Sequence, residues 1–453
     1  MPNYPLTPKT VPHVKTQYRT IRTKLPVPES LPILQEMRRY EPQSMSGLPP
    51  VVWKKGENFL VHDHWGNRWI DWSSGVLITN AGHGRKEIID AIVAQAKSGL
   101  LSNYLFPHAL RGKLARMLVA RAPKNLDKAF ILSTGSETLE CAIKLCRTRG
   151  MNLKPSKRVI VSFLNAFHGR TLGAQMIGGI PALKTWIGRQ DPRMIQVPFP
   201  EGFRCKDVRF ALFTKSLAKA GVHPSDVCGV ILESYQGGNA SFADVAYIKA
   251  LRAWCDRHSA LLVFDEVQAG FGRTGKYWGF EHYGVKADIL CCGKGISGSL
   301  PLSAVLANHQ VLDLYAPGSM TSTHSCNPVC CAATIANLEV LDRVKAVANS
   351  ARLGKALHAR LRGFQKKYPT RIGAVHGKGL VAALHMVKPG AEEPDADAAW
   401  RIVEACYERG VLMFSPVGFG GASVKISPPL TITRGALEES LGVLEEALGA
   451  VLG

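Results

Sequence analysis

Three short runs, apolar at nearly every position, stand out from the mixed pattern around them: Val159–Phe163, Val227–Glu233 and Leu261–Asp265. Runs of that length without polar alternation predict strands buried on both faces of a parallel sheet. Between them the apolar spacing becomes helical, as over Asp244–His258. The alternation of strand and helix from near Glu87 to near Asp342 predicts an α/β sheet with helices on both faces.

On either side of this region the pattern differs. The first 50 residues, rich in proline and basic residues, read as an extended arm. Phe59-Leu-Val-His-Asp-His-Trp-Gly-Asn-Arg-Trp-Ile-Asp-Trp72 gives two short strand-like runs about a turn at Gly66-Asn67. After Asp342 the spacing predicts a helix over Val344–Tyr368, a strand-like run at Gly379–Val387 and an exposed loop over Pro389–Asp395. A helix over Ala396–Arg409, a strand-like run at Val424–Ser427 and a final helix from Thr433 follow. The expected organisation is an arm and part of a small domain over 1–80, a large domain over 81–342, and a small α+β domain over 343–453. No internal repeat or low-complexity tract interrupts it.

Length agrees with this division, since 453 residues exceed the roughly 250–300 that one core supports. With 46% apolar and 20% charged residues the composition is that of a globular chain. No apolar run approaches the roughly 18 residues of a membrane span. The charge balance of 56 − 35 = +21 comes from basic residues spread along the chain, with no recognisable nucleic-acid module. It reads as a solvated basic surface able to steer anionic small molecules. Eleven scattered cysteines, an odd count in a long chain, predict a reduced intracellular protein. The first 28 residues lack Asp and Glu, as in a transit peptide, but six prolines spoil the amphipathic helix one needs. A cytoplasmic location is expected.

Three segments carry candidate chemistry. Lys128-Ala-Phe-Ile-Leu-Ser-Thr-Gly-Ser-Glu137 runs from a strand into a turn, after which Leu139, Ala142, Ile143 and Cys146 recur at helical spacing. A helix N-terminus beside Gly135 and Ser136 offers free N–H groups to a phosphate, although an ordinary capped turn has the same pattern. Leu261-Leu-Val-Phe-Asp-Glu-Val-Gln268 ends a buried strand in an acidic pair. Asp265 there is either a functional carboxylate at a strand's carboxyl end or a capping or salt-bridged acid. Lys294, between Gly293 and Gly295, is either a solvated surface lysine or an amine whose charged form burial disfavours, as a Schiff-base nucleophile requires. Together the three are the handles pyridoxal phosphate needs: a phosphate site, a carboxylate for the ring nitrogen, and a lysine 294 − 265 = 29 residues further on.

With Thr134-Gly-Ser-Glu137, Phe167-His-Gly-Arg-Thr171, Glu233-Ser-Tyr-Gln-Gly237 and Phe264-Asp-Glu-Val-Gln-Ala-Gly-Phe-Gly-Arg-Thr-Gly275, the sequence resembles the class III (subgroup II) aminotransferases. Phe280-Glu-His-Tyr-Gly284, Gly293-Lys-Gly295, Asn327-Pro328 and Pro428-Pro-Leu-Thr-Ile432 extend the likeness over about residues 50–450. The group includes 4-aminobutyrate, ornithine and other ω-amine transaminases. The resemblance implies fold type I, with a large domain holding a mostly parallel sheet and a smaller α+β domain, and pyridoxal 5'-phosphate as cofactor. It implies that Lys294 forms the internal aldimine and shuttles a proton. Asp265 would keep the pyridine nitrogen protonated, Gln268 would bond the phenolic oxygen, and Phe167 and Val267 would pack on the two ring faces. Gly135 and Ser136 would hold the phosphate, with Thr323 donated by a second subunit of a homodimer. His168 and Glu233 belong to the same cofactor contacts, Glu233 near the substrate amine. The implied reaction moves an amino group from a primary or ω-amine, or an amino acid, to a 2-oxo acid.

Two departures bear on substrate. Relatives commonly carry Gln-Gly-Glu-Gly, whose glutamate forms a switch with an arginine; here Gly238 and Asn239 follow Gln236-Gly237, and Lys425 replaces the arginine. Lysine is a point charge where arginine grips a carboxylate bidentately. Either another cation compensates and transamination persists, or the enzyme is an ammonia-lyase or phospho-lyase acting on an amino-phosphonate or phosphorylated amine; a racemase or epimerase is a third class. Lys425, Tyr104 and Trp72 are candidate substrate contacts, with core packing the alternative for the aromatics, Trp69 among them. His324-Ser-Cys326 with Cys330-Cys331 has a superficial likeness to a metal site but lacks structural zinc spacing, so no metal is expected. Ser325-Cys326 stands where many relatives have Gly-Gly.

Overall fold

Seven strands form one sheet within Lys86–Arg343 of the computed structural model, which describes residues 3–453. In chain order they are β1 (Lys128–Leu132), β2 (Val159–Phe163), β3 (Met194–Val197), β4 (Val227–Glu233), β5 (Leu261–Asp265), β6 (Ile289–Cys292) and β7 (Ser303–Ala307). The spatial order is β1-β7-β6-β5-β4-β2-β3. The three apolar runs singled out above are β2, β4 and β5, buried at every residue. They pair in parallel, with Val263 beside Ile231 on one side and Ile289 on the other.

One strand runs the other way: β7 is antiparallel to both β6 and β1. The cause is connection length. Only ten residues, 293 to 302, separate β6 from β7, fewer than the dozen or more that a parallel crossover needs.

Helix α1 (Gly135–Leu153) buries Leu139, Ala142, Ile143 and Cys146 against Ile160, Ile231, Val263, Ile289 and Val305. Each leucine or isoleucine among them, removed from water, contributes roughly 1.5–3 kcal/mol. Helix α2 (Val245–His258), capped by Asp244, which accepts from the Tyr247 amide, also packs on β4 and β5. In α1, a Cβ on Gly150 would lie 2.2 Å from the Lys157 carbonyl oxygen and 2.5 Å from Cys228 Cβ. Gly150→Ala is therefore expected to destabilise the protein by about 1–3 kcal/mol. A lowered urea midpoint at unchanged slope would register it, and an unchanged midpoint would refute it.

The second unit joins the segment before Arg85 to Val344–Gly453. Arg68–Asp71 pairs antiparallel with Leu60–His62 across the Gly66-Asn67 turn and parallel with Val411–Leu412. Ile372–Lys378, Val381–Met386 and Ser423–Ile426 make a separate antiparallel sheet; helices Ala346–Lys367 and Ala396–Glu408 pack on it, and Arg434–Leu452 packs on those two helices. The expectation of an extended arm is corrected here. Leu31–Tyr40 is a helix, and Val14–Lys15 pairs with Thr20–Ile21. Pro32 sits in the helix's first turn, where a missing N–H costs nothing, so the prolines do not prevent it.

Candidate active site

The carboxyl ends of the parallel strands gather the predicted chemistry on one edge of the sheet, the usual ligand edge of an open α/β fold. Asp265 ends β5, paired with Glu233 at the end of β4 and with Cys291 of β6, three residues before Lys294. Because successive side chains of a strand point to opposite faces, the acidic pair divides. Asp265 Oδ2 meets His168 Nδ1 at 2.8 Å, and its Oδ1 accepts from the Val267 amide at 3.0 Å. Glu266 points away and braces the next loop, accepting from the Ser234 hydroxyl and the amides of Gly279 and Phe280. Burial pushes Glu266 up to about 7.

Glu233 is held by the Phe167 amide on Oε2 at 3.0 Å and the Gly237 amide on Oε1 at 2.8 Å. Burial, with Asp265 adding like-charge repulsion, raises it to about 7. Gly237 is required here: a Cβ would sit 2.2 Å from Gln268 Nε2 and 2.8 Å from Glu233 Oε1. Lys294 adopts φ +45°, left-handed and strained for a residue with a Cβ. Desolvation lowers its pKa, and the negative charges of Asp265 and Glu233 oppose that shift.

At the start of α1, Thr134 and Glu137 form a reciprocal cap: Thr134 Oγ1 accepts from the Glu137 amide, and Glu137 Oε2 accepts from the Thr134 and Ser133 amides. The cap leaves the Gly135 and Ser136 amides, which as first-turn donors have no intrahelical acceptor. A Cβ at Gly135 would meet Val267 Cγ1 at 2.9 Å, which places the turn against the residue after the acidic pair. Ser136 Oγ accepts from the Arg170 amide at 3.2 Å, and the Arg170 guanidinium lies 5.6 Å from the Phe167 ring centre. Ser303 on β7 donates to the Thr134 carbonyl at 2.8 Å, a contact with no signal in the sequence.

Tyr104 is exposed and meets Thr321 Oγ1 at 3.2 Å, while Asn327 Nδ2 donates to the Leu101 carbonyl at 2.6 Å. Those bonds tie the segment around Tyr104 to the loop carrying Thr323, which is also exposed. Trp72 is wholly buried, and its backbone bridges Leu412 and Ser427 within its own unit. Lys425 is buried on Ser423–Ile426, its Nζ 5.6 Å from the Phe414 ring centre. Among the described residues no cluster of ligating side chains fits a metal ion.

The strand-end residues fit pyridoxal phosphate. Asp265 is a buried carboxylate fixed from two sides, Gly135-Ser136 offers amides to a dianion, and Lys294 is an amine with a depressed pKa. His168 Nε2 is buried without a partner, so the ring that orients Asp265 retains one unused polar position.

Comparison with known proteins agrees. The family profile described as aminotransferase class-III matches residues 42–448. A 5-aminovalerate aminotransferase of Pseudomonas putida is 30% identical over 415 residues, covering 90% of this chain and 96% of that one. A 2-aminoadipate transaminase of the same organism is 31% identical, covering 90% and 97%. An amine transaminase from an uncultivated Pseudomonas species, solved in its PLP-bound form, superposes with a TM-score of 0.82 at 29% identity, covering 91% and 96%. The chain thus belongs to the class-III aminotransferases, enzymes that use pyridoxal 5'-phosphate.

Proposed function

We propose that this aminotransferase takes its amino group from a primary or ω-amine, or from an amino acid, and delivers it to a 2-oxo acid, with Lys294 as the proton carrier. The observation that carries this reading is a desolvated lysine three residues beyond the strand position paired with Asp265. Bound there, pyridoxal phosphate supplies a carbonyl carbon and an electron sink. Burial keeps a larger share of Lys294 Nζ neutral, so its lone pair is free to accept a proton and return it. Asp265, oriented by His168 and the Val267 amide, presents a carboxylate to the ring nitrogen. Gly135 and Ser136 bind the phosphate, Gln268 bonds the phenolic oxygen, and Phe167 and Val267 enclose the ring. Glu233 serves the substrate amine.

A homodimer is part of the proposal. Leu100, Leu101, Tyr104, Leu105 and Phe106 form an exposed apolar run, with Phe106 75% exposed, and that run is tied to the Thr323 loop. Apolar surface of that kind favours a partner, and a second copy would receive Thr323 beside its cofactor phosphate. Eleven cysteines without a disulfide support a cytoplasmic location; among the described residues no helix is long and apolar enough to cross a membrane.

The relatives' names support amino transfer over elimination and make 5-aminovalerate and 2-aminoadipate the first donors to assay. New amino acid should appear only when pyruvate or 2-oxoglutarate is present. Catalytic ammonia release without an acceptor would overturn the reading.

The altered switch has its own test. Lys425 is proposed to receive the acceptor's carboxylate as a point charge. Gly238→Glu combined with Lys425→Arg is expected to raise preference for 2-oxoglutarate about tenfold, equivalent to roughly 1.4 kcal/mol. An unchanged acceptor ratio in kcat/KM would remove both positions from the substrate argument.

A further inference from the structure

Part of the basic excess gathers on one helix of the second unit. From Val344 to Lys378 the chain carries nine Lys and Arg and no Asp or Glu, although the whole protein has 35 acidic residues. Helix α3 (Ala346–Lys367) occupies most of that stretch. It buries Leu353, Leu357, Leu361 and Phe364 on one face and exposes Arg352, Lys355, Arg360, Arg362, Lys366 and Lys367 on the other. Solvated helix faces ordinarily interleave acids with bases. Here, among the described residues, one acid answers the six cations: Glu445 pairs with Arg360 and Lys367. Arg352 donates to Asn349 Oδ1 at 2.6 Å, and Lys355, Arg362 and Lys366 make no hydrogen bond or ion pair among the described residues.

At 3.6 residues per turn the six cations fall on two sides of the exposed face. Arg352, Lys355, Arg362 and Lys366 run along one side, spanning 366 − 352 = 14 residues, or about 21 Å. Arg360 and Lys367 stand on the other side, and Ala356 and Gly363 form the crest between. The crest is recessed: Ala356 and Gly363 line a surface groove together with Arg360 and Lys367.

We propose that α3 is a docking surface for duplex DNA, set in the major groove with its two cationic sides against the two phosphate backbones. A helix with its side chains is about 10–12 Å across, and the major groove of B-form DNA is about 12 Å wide. Alanine and glycine at the crest have no polar side chain to read a base edge, so the contact is with phosphate and carries no sequence preference. Other polyanions match the helix less well. Unpaired strands need aromatic platforms, and Phe364 is only 2% exposed. An anionic membrane surface takes up apolar side chains, and among the described residues of α3 no large one is exposed. The major groove of duplex RNA is too narrow for a helix. A flexible phosphate chain follows one line of cations and leaves the other side unused.

The test titrates the intact holoenzyme into a labelled DNA duplex two helical turns long and reads fluorescence anisotropy. At about 50 mM salt the Kd should be on the order of 10⁻⁶ M and the same for two unrelated base sequences. Log affinity should fall with log salt at a slope of about −5, from roughly 0.9 per phosphate neutralised by the six cations. Lys355→Gln combined with Arg362→Gln should reduce that slope by about 2 and leave aminotransferase turnover unchanged. Lys215→Gln combined with Lys219→Gln removes the same charge from exposed positions of the other unit and should leave the slope as it was. Single-stranded DNA, duplex RNA, inorganic polyphosphate and phosphatidylserine vesicles, matched in phosphate, should each compete more weakly than unlabelled duplex DNA. Absence of binding, an unchanged slope in the Lys355 and Arg362 variant, or an equal change in the Lys215 and Lys219 variant would overturn the proposal. So would a preference for one base sequence, or tighter capture by any competitor. If the Lys355 and Arg362 variant loses turnover, Lys366→Gln decides in its place, with an expected change in slope of about 1.

Discussion

Lys294→Ala is expected to lower kcat for amino transfer by at least about 10⁴-fold, the upper range for loss of a positioned proton carrier. The cofactor's visible absorption should revert to that of the free aldehyde. A lysine at φ +45° between two glycines is held by its surroundings, and the side chain is held where desolvation lowers its pKa. No other lysine is placed three residues past the strand position that pairs with Asp265. Stopped-flow absorption and single-turnover product formation would measure both effects. A variant that kept its turnover would show that the proton carrier lies elsewhere.

Asp265→Asn is expected to cost roughly 10³-fold in kcat, as removal of a preorganised charge opposite developing charge does. The substitution keeps the shape and one oxygen able to accept from the Val267 amide, but it removes the charge from the partner of His168. His168→Gln, which acts only through Asp265, is expected to lower kcat about tenfold and to leave KM for the amine unchanged. The two losses should be less than additive when combined, since one residue works through the other. Full additivity in the double variant would show that His168 acts independently of the carboxylate.

Some of this was readable from residues and some was not. The strands β2, β4 and β5 announce themselves because burial on both faces leaves no polar alternation. Asp265 and Lys294 were findable as single residues at strand ends. The contact between His168 and Asp265 spans 265 − 168 = 97 positions and leaves no local trace. Neither does the bond from Ser303 to Thr134. The reversed direction of β7 had a signal, the ten-residue connection, that only counting would reveal. The helix at Leu31–Tyr40 was hidden by prolines whose position in the first turn makes them harmless. The burial of Trp72 has no signal in sequence, because an aromatic ring near a turn looks the same whether it faces core or ligand.

The unit built from both ends of the chain has a consequence for synthesis. Arg68–Asp71 pairs with Val411–Leu412, and Trp72 is bridged by Leu412 and Ser427, so the early segment's partners are made last. Between Arg85 and Val344 the ribosome adds 343 − 85 = 258 residues. At roughly 5–20 residues per second that takes about 13–50 s. During that time the strand around Trp69 and Trp72 has left the tunnel without its mates, while the sheet from β1 to β7 emerges whole. The nascent chain can therefore complete its cofactor-binding half first and must keep two tryptophans from straying until the last helix is released.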